Sequence, residues 1–178
     1  MARCFIGIII PEGLKGYLEG IEKELSSLPM TCKFVEKDNF HLCLSFLGEV
    51  EEGKIKGISE ALDSICSKFS SFEMIVDGIK MIPSESYARV LALDVADKTN
   101  TIGKIMDEIK KEIGGDSHPP HLTLCRVKSM KDKQQTVQKI KSIRTESKHL
   151  AVSSIQLIKS ELKKTGPVYS SVHDSKLR

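Results

Sequence analysis

The chain has no tryptophan, and aromatic residues make up only 5% of its 178 residues. Any aromatic stacking on a ligand must therefore come from a few side chains. The five cysteines are an odd set with no Cys-x-x-Cys pair. This pattern disfavours a disulfide framework and favours reduced thiols, as in the cytoplasm.

Long apolar runs are also missing. The run that ends at Ile10 meets Pro11 before it reaches the length of a membrane span or a signal-peptide cleavage site, so we interpret it as a buried strand. The formal net charge is only +3, which permits a phosphate-bearing ligand without requiring one. No segment has the pattern of a dimer seam. We expect a cytoplasmic monomer with no membrane segment.

Helix-like and strand-like segments recur in a similar order in both halves of the chain, with no Gly/Ser-rich linker. Helical spacing of apolar residues predicts helices over 12–28 and 51–69, around 102–113 and around 137–143. Apolar or alternating segments predict strands over 3–10, 33–35, 41–47, 72–82 with a possible bulge at Gly78, 89–95, 121–127, 149–159 and 168–173, the last two separated by a turn at 165–167. We predict one α+β domain, residues 1–178, with two pseudo-symmetric lobes: two antiparallel sheets flank a central cleft and the helices lie outside.

The strongest functional signal is a repeated strand pattern. Segments 41–45 (His-Leu-Cys-Leu-Ser) and 121–124 (His-Leu-Thr-Leu) place a histidine and a small polar residue at alternate positions. Because side chains alternate between the faces of a strand, the leucines point into a core and the polar side chains share the other face. One such histidine means little. Two copies, one in each half, predict a duplicated site to which each half contributes one histidine.

Two histidines that face each other can divide the acid and base roles, since an imidazole titrates at about pH 6.5 and one ring can be neutral while the other is protonated. A phosphodiester suits this arrangement. The neutral histidine takes a proton from water, and the protonated one donates to the leaving oxygen. The polar side chains two residues along bind the negative charge, and the chemistry requires no metal or other cofactor.

These residues carry a family resemblance. His41-Leu-Cys43-Leu and His121-Leu-Thr123-Leu resemble the paired His-x-Thr-x motifs of the two-histidine (2H) phosphoesterases. Within them, the chain most resembles the LigT-like, or ThpR-type, RNA 2′,3′-cyclic phosphodiesterases. The likeness covers nearly the whole chain, through segments 11–15, 39–50, 89–91, 118–127, 160–162 and 166–169.

The resemblance implies a LigT-like bilobal fold and hydrolysis of a terminal 2′,3′-cyclic phosphate on RNA, or of a cyclic nucleotide, to a 2′-phosphate. It assigns the proton donor to His41 and the proton acceptor to His121. Thr123 and Arg126 are the implied phosphate contacts. Strict alternation would place Arg126 on the opposite face from His121, so it needs a bulge or a strand end to reach the site.

The chain departs from the family pattern at two positions. Cys43 stands where the family usually has Thr or Ser, and a thiol is a weak donor. Ser45 is expected on the same face as Cys43 and is the candidate substitute. Ala92 stands where many relatives have a large aromatic residue. Tyr169 then remains as a stacking candidate, whereas Phe46 alternates with Leu44 and is expected in the core.

Four alternatives rank below this interpretation. His118, His121 and Cys125 do not have the paired spacing of structural zinc ligands. Cys43 activated by His41 would be a nucleophile without an identifiable oxyanion hole. The same site could catalyse the reverse reaction, as a 2′-5′ RNA ligase. Alternatively, the protein could bind RNA or a nucleotide without turnover. Outside the repeated motifs, Arg89 is the second candidate, after Arg126, for an RNA contact.

Overall fold

A computed structural model describes residues 1–164 and 166–178; one residue of the predicted turn at 165–167 therefore lies outside the described residues. Helices form at Glu12–Ser26 (α1), Glu52–Cys66 (α2), Thr101–Glu112 (α3) and Lys133–Ser142 (α4). Strands form at Ala2–Ile9 (β1), Met30–Phe34 (β2), His41–Val50 (β3), Phe72–Ile82 (β4), Val90–Ala96 (β5), His121–Met130 (β6), Lys148–Val152 (β7), Ser154–Lys163 (β8) and Gly166–Lys176 (β9). The predicted α+β class is confirmed.

Helix positions follow the apolar spacing. In α1, Leu18, Ile21 and Leu25 are buried, at the three- and four-residue intervals that place side chains on one helix face. The helices pack on one face of the sheet over a continuous apolar core. None of the helices in residues 1–164 and 166–178 has both the length and the apolar character that crossing a bilayer requires.

Two strand predictions need adjustment. The single strand expected over 149–159 is two strands, β7 and β8, separated at Ser153. The bulge suspected at Gly78 is present: the register between β4 and β5 shifts between Asp77 and Ile79, and Gly78 has a φ of +69°. This left-handed conformation carries little steric penalty for glycine because it has no Cβ.

The strands join in the order β7-β4-β5-β6-β3-β1-β8-β9, and β2 adds to β6. The order is symmetric about the β6–β3 junction. One half consists of β3, β1, β8 and β9, in which β1 from the start of the chain pairs with β8 from the end. The other half consists of β6, β5, β4 and β7. Each half of the sheet therefore contains strands from both the first and the second half of the chain.

The two expected antiparallel sheets are halves of one sheet, joined through the pair of Leu42 in β3 with Leu122 in β6. Both leucines are fully buried. Burying an aliphatic side chain stabilises a fold by roughly 1.5–3 kcal/mol. The junction therefore anchors both histidine strands in the core. Their polar side chains project from the opposite face of the sheet, termed here the open face.

Each histidine strand contains a bulge. The register of β3 against β1 skips Leu44, and the register of β6 against β5 skips Leu124. A bulge inserts one extra residue and so reverses the facing of the residues that follow it. As a result, Phe46 and Arg126 lie on the open face, at equivalent positions in the two halves.

Candidate active site

The Leu42–Leu122 pair brings the two motifs together on the open face. The flanking residues His41, Cys43, His121 and Thr123 are all partly exposed there. In an antiparallel register, the neighbours of a pair lie opposite each other in crossed order. His41 is thus directed towards Thr123 and Cys43 towards His121, so the two imidazoles lie on a diagonal across the junction.

Both histidine rings are oriented by a backbone carbonyl two residues earlier in the chain. The Nδ1 of His41 lies 2.7 Å from the carbonyl oxygen of Asn39. The Nδ1 of His121 lies 3.0 Å from the carbonyl oxygen of Pro119. Because a carbonyl can only accept, Nδ1 carries the hydrogen in both rings. Each Nε2 is therefore left for proton transfer.

His41 is enclosed by two aromatic rings. The Phe5 ring centroid lies 4.8 Å from the imidazole centroid, and the Tyr169 ring packs edge-on at 5.0 Å. Burial lowers the pKa of His41 below its usual 6.5, and the positive charges of His121 and Arg126 lower it further. The Asn39 carbonyl opposes this effect by raising the pKa. The His41 imidazolium is consequently a stronger acid than an exposed one.

Arg126 is on the open face because of the β6 bulge, as its predicted role requires. Its charge lowers the pKa of His41 and, against the larger effect of burial, that of Tyr169. Lys33 pairs with Arg126 across β2 and β6. The open face next to the imidazoles therefore carries positive charge suited to an anion.

The prediction that Ser45 shares a face with Cys43 is wrong. Ser45 is 1% exposed, and its hydroxyl donates to the carbonyl oxygen of Gly114 at 2.8 Å. The bulge at Leu44 turns Ser45 towards the core. Ser45 thus ties β3 to the segment after α3 and does not reach the open face.

The prediction that Phe46 lies in the core is also wrong, because the same bulge turns its side chain outward. Its side chain is 36% exposed, and the Arg3 guanidinium lies 5.2 Å from the ring centroid. Phe46 therefore joins Tyr169 as an aromatic group near the motifs.

Arg89, the second candidate for an RNA contact, interacts with Tyr87. Its guanidinium lies over the ring of Tyr87 and donates to the Tyr87 hydroxyl.

Cys43 has the position expected of it but not the reactivity of a nucleophile. Burial raises the pKa of its thiol to about 11. A thiol with that pKa is almost entirely protonated at neutral pH, and the thiolate is the nucleophilic form. The nucleophile hypothesis is therefore disfavoured, and Cys43 faces the site as a neutral, weak donor.

The zinc hypothesis fails on geometry. His121 lies on the open face, whereas Cys125 is fully buried on the core side of the same strand. Two of the three suggested ligands therefore point away from each other. In the part of the chain that the structure describes, no three His, Cys, Asp or Glu side chains form a group able to hold a metal ion.

The chain matches the family described as LigT like Phosphoesterase twice, over residues 8–92 and 93–169. The first range contains His41 and the second contains His121. The chain therefore belongs to the LigT-like, two-histidine phosphoesterases, and the resemblance found in the sequence is confirmed.

Curated relatives match over nearly the full length. The RNA 2′,3′-cyclic phosphodiesterase of Thermotoga maritima is 31% identical over 178 residues, which are 97% of this chain and 94% of that one. The protein of the same name from Aquifex aeolicus is 30% identical over 98% of this chain and 96% of that one. These relatives support a phosphoesterase enzyme.

Solved structures have the same fold. The protein TT0787 of Thermus thermophilus superposes with a TM-score of 0.80 at 21% identity, over 99% of this chain and 98% of that one. Escherichia coli LigT complexed with 3′-AMP superposes with a TM-score of 0.77 at 20% identity, with the same coverage. The LigT-like architecture is thereby confirmed.

Proposed function

We propose that this protein hydrolyses 2′,3′-cyclic phosphates, at RNA ends or in nucleotides, to 2′-phosphomonoesters. The observation that carries the proposal is the Leu42–Leu122 pair, which places His41 and His121 on one face with both Nε2 atoms available. The names of the curated relatives support the same activity. The choice of the 2′ product rests on the family resemblance.

In the proposed reaction, the Nε2 of neutral His121 takes a proton from water as the water oxygen attacks phosphorus. The bond between phosphorus and O3′ breaks, and the Nε2–H of protonated His41 donates its proton to O3′. The phosphate stays on O2′. Burial of His41 suits the donor role, because its lowered pKa makes the imidazolium a stronger acid.

Thr123 and Arg126 are proposed to bind the phosphoryl oxygens. The Thr123 hydroxyl can donate a hydrogen bond to an anionic oxygen, and Arg126 can donate two in parallel. Cys43 supplies a weaker donor at the symmetry-equivalent position. Positioned donors stabilise the negative charge that develops on the phosphoryl group in the transition state.

The test is incubation with 2′,3′-cyclic mononucleotides and with cyclic-ended RNA in EDTA, with the monoester identified by phosphorus NMR. We expect turnover in EDTA, and a loss of roughly 10²–10⁴-fold in kcat for both His41→Ala and His121→Ala. His149→Ala is the matched control, because His149 lies in β7 and binds Glu73. Turnover that needs added metal, or binding without turnover, would contradict the proposal.

A further inference from the structure

Asn39 is a buried polar residue whose side chain spans two parts of the fold. It is 7% exposed and lies in the one-turn helix Lys37–Asn39 before β3. Its Nδ2 donates to the carbonyl oxygen of Pro167 in β9 at 2.8 Å and to the carboxylate of Glu36 at 3.3 Å. Both amide hydrogens are thus used, as is typical of a buried amide that fixes a conformation.

The backbone of Asn39 performs a separate task. Its carbonyl oxygen is the acceptor for Nδ1 of His41. The Pro167 carbonyl that the Asn39 side chain binds lies two residues before Tyr169, whose ring packs edge-on against His41. One residue therefore connects the acceptor for the imidazole with the strand that covers the imidazole.

From this connection we propose that Asn39 is a positioning residue for the reaction. Its side chain holds the carbonyl that orients His41 and the strand segment that carries Tyr169 in a single arrangement. This inference rests on the proposed acid role of His41 and adds a residue to it.

In the second half of the molecule, the carbonyl that orients the histidine is held in place by different residues. The acceptor for His121 is the carbonyl of Pro119. Pro119 and Pro120 each have a fixed φ, and the ring of Pro120 also restricts Pro119 to an extended conformation. A rigid dipeptide therefore presents this carbonyl. The first half has no proline immediately before His41, and the Asn39 side chain takes over that function.

Removing the side chain is expected to loosen the carbonyl and the ring together. For Asn39→Ala we expect kcat on a 2′,3′-cyclic mononucleotide to fall by about 10–100-fold, with KM changed less than about 3-fold, because misplacing a catalytic group by about 1 Å can cost 10²-fold. Glu36→Ala leaves the Pro167 bond in place and is expected to stay within about 3-fold of wild type.

A second readout reports on the ring itself. His41 is faced by His121, Arg126 and Tyr169, and its Nδ1 by the Asn39 carbonyl. Nitrogen-15 NMR should show a single Nδ1–H tautomer for neutral His41 in the wild type and a mixture of tautomers in Asn39→Ala. The pH optimum of kcat should also move to lower pH, because a weakened carbonyl bond stabilises the imidazolium less.

Thr136→Ala is the stability control. Thr136 is fully buried in α4 and donates to the carbonyl oxygen of Lys131 at 2.7 Å. If Asn39→Ala loses thermal stability as Thr136→Ala does, while its kcat, pH optimum and His41 tautomer stay as in wild type, Asn39 is structural and the inference is wrong. If the wild-type protein has no cyclic phosphodiesterase activity, the proposed function fails, and the tautomer measurement still decides the role of Asn39.

Discussion

Leu42 and Leu122 are a fully buried pair that joins the two halves of the sheet. The pair lies directly beneath the two motif histidines, which flank it in sequence. The packing of this pair in the core therefore also sets the positions of the two histidines. Disturbing this junction should affect chemistry as well as stability.

Leu122→Ala is expected to destabilise the fold by roughly 2–5 kcal/mol, the usual cost of such a cavity. Under conditions where the variant stays folded, kcat should also fall, because the distance between the imidazoles is no longer held. Urea unfolding and steady-state kinetics measure the two effects. Leu150→Ala in β7, which is also buried, should lose similar stability and keep wild-type kcat. Equal kcat values in the two variants would show that the junction does not affect catalysis.

Arg126→Gln should move the pH optimum of kcat/KM to higher pH and raise KM. The positive charge of Arg126 lowers the pKa of His41, although burial is the larger cause. Without that charge the His41 imidazolium persists to higher pH, and His41 must be protonated to donate. The optimum is read from a pH–rate profile in buffers of constant ionic strength. Lys128→Gln, which alters a more distant exposed residue of the same strand, is the control, and an equal shift there would indicate a general charge effect.

Cys43→Thr should tighten the binding of cyclic phosphate. A hydroxyl replaces a neutral thiol whose pKa burial raises to about 11, and a hydrogen bond to a charged group is worth roughly 1.5–3 kcal/mol. Competition by inorganic phosphate measures the change. Ser45→Ala should leave that affinity unchanged, since the Ser45 hydroxyl is bonded to Gly114. Unchanged or weaker binding by Cys43→Thr would show that residue 43 does not contact the phosphate.

Glu22→Gln in α1 should stabilise the protein at alkaline pH. Burial raises the pKa of Glu22 to about 7, and the negative charge of Glu19 acts in the same direction. The hydrogen bond from the N–H of Val35 has the opposite, smaller effect. A carboxyl with a raised folded-state pKa favours folding while it is protonated, below its unfolded pKa of 4.5. This contribution is lost as pH rises from 4.5 through about 7.

We expect Glu22→Gln to gain roughly 1–3 kcal/mol in unfolding free energy at about pH 8 and little below the unfolded pKa. Urea titrations at both pH values measure the difference. Glu24→Gln, which removes an exposed carboxylate from the same helix, is the control for the loss of one negative charge. A gain of the same size at both pH values would contradict the titration of Glu22.

Much of the fold could be predicted because it depends on local patterns. The helices lie where leucine and isoleucine recur at three and four residues, as in α1. The bounds of β4, 72–82, agree with the prediction. The break at Ser153 could not be predicted, because a short apolar run does not show where one strand ends and the next begins.

The site was predictable only up to the bulges. Strict alternation through Leu44 predicts the wrong faces for Ser45 and Phe46, because the strand has a bulge there. A bulge depends on how a strand pairs with its neighbours, which no local pattern records. For the same reason, Arg126 could be named as a candidate from the sequence, but its facing could not be derived.

Residue identity and spacing along the chain are enough to predict the class of fold and the two histidine motifs, and the motifs with their surroundings carry the resemblance to the family. Which side chains meet depends on how the strands pair in the folded chain, and the structure was needed to show it. It placed His41 and His121 on one face through the Leu42–Leu122 pair and supplied a carbonyl acceptor for each ring. These relations join residues far apart in the chain, and the pairing of β3 with β6 and the burial of their leucines bring them together.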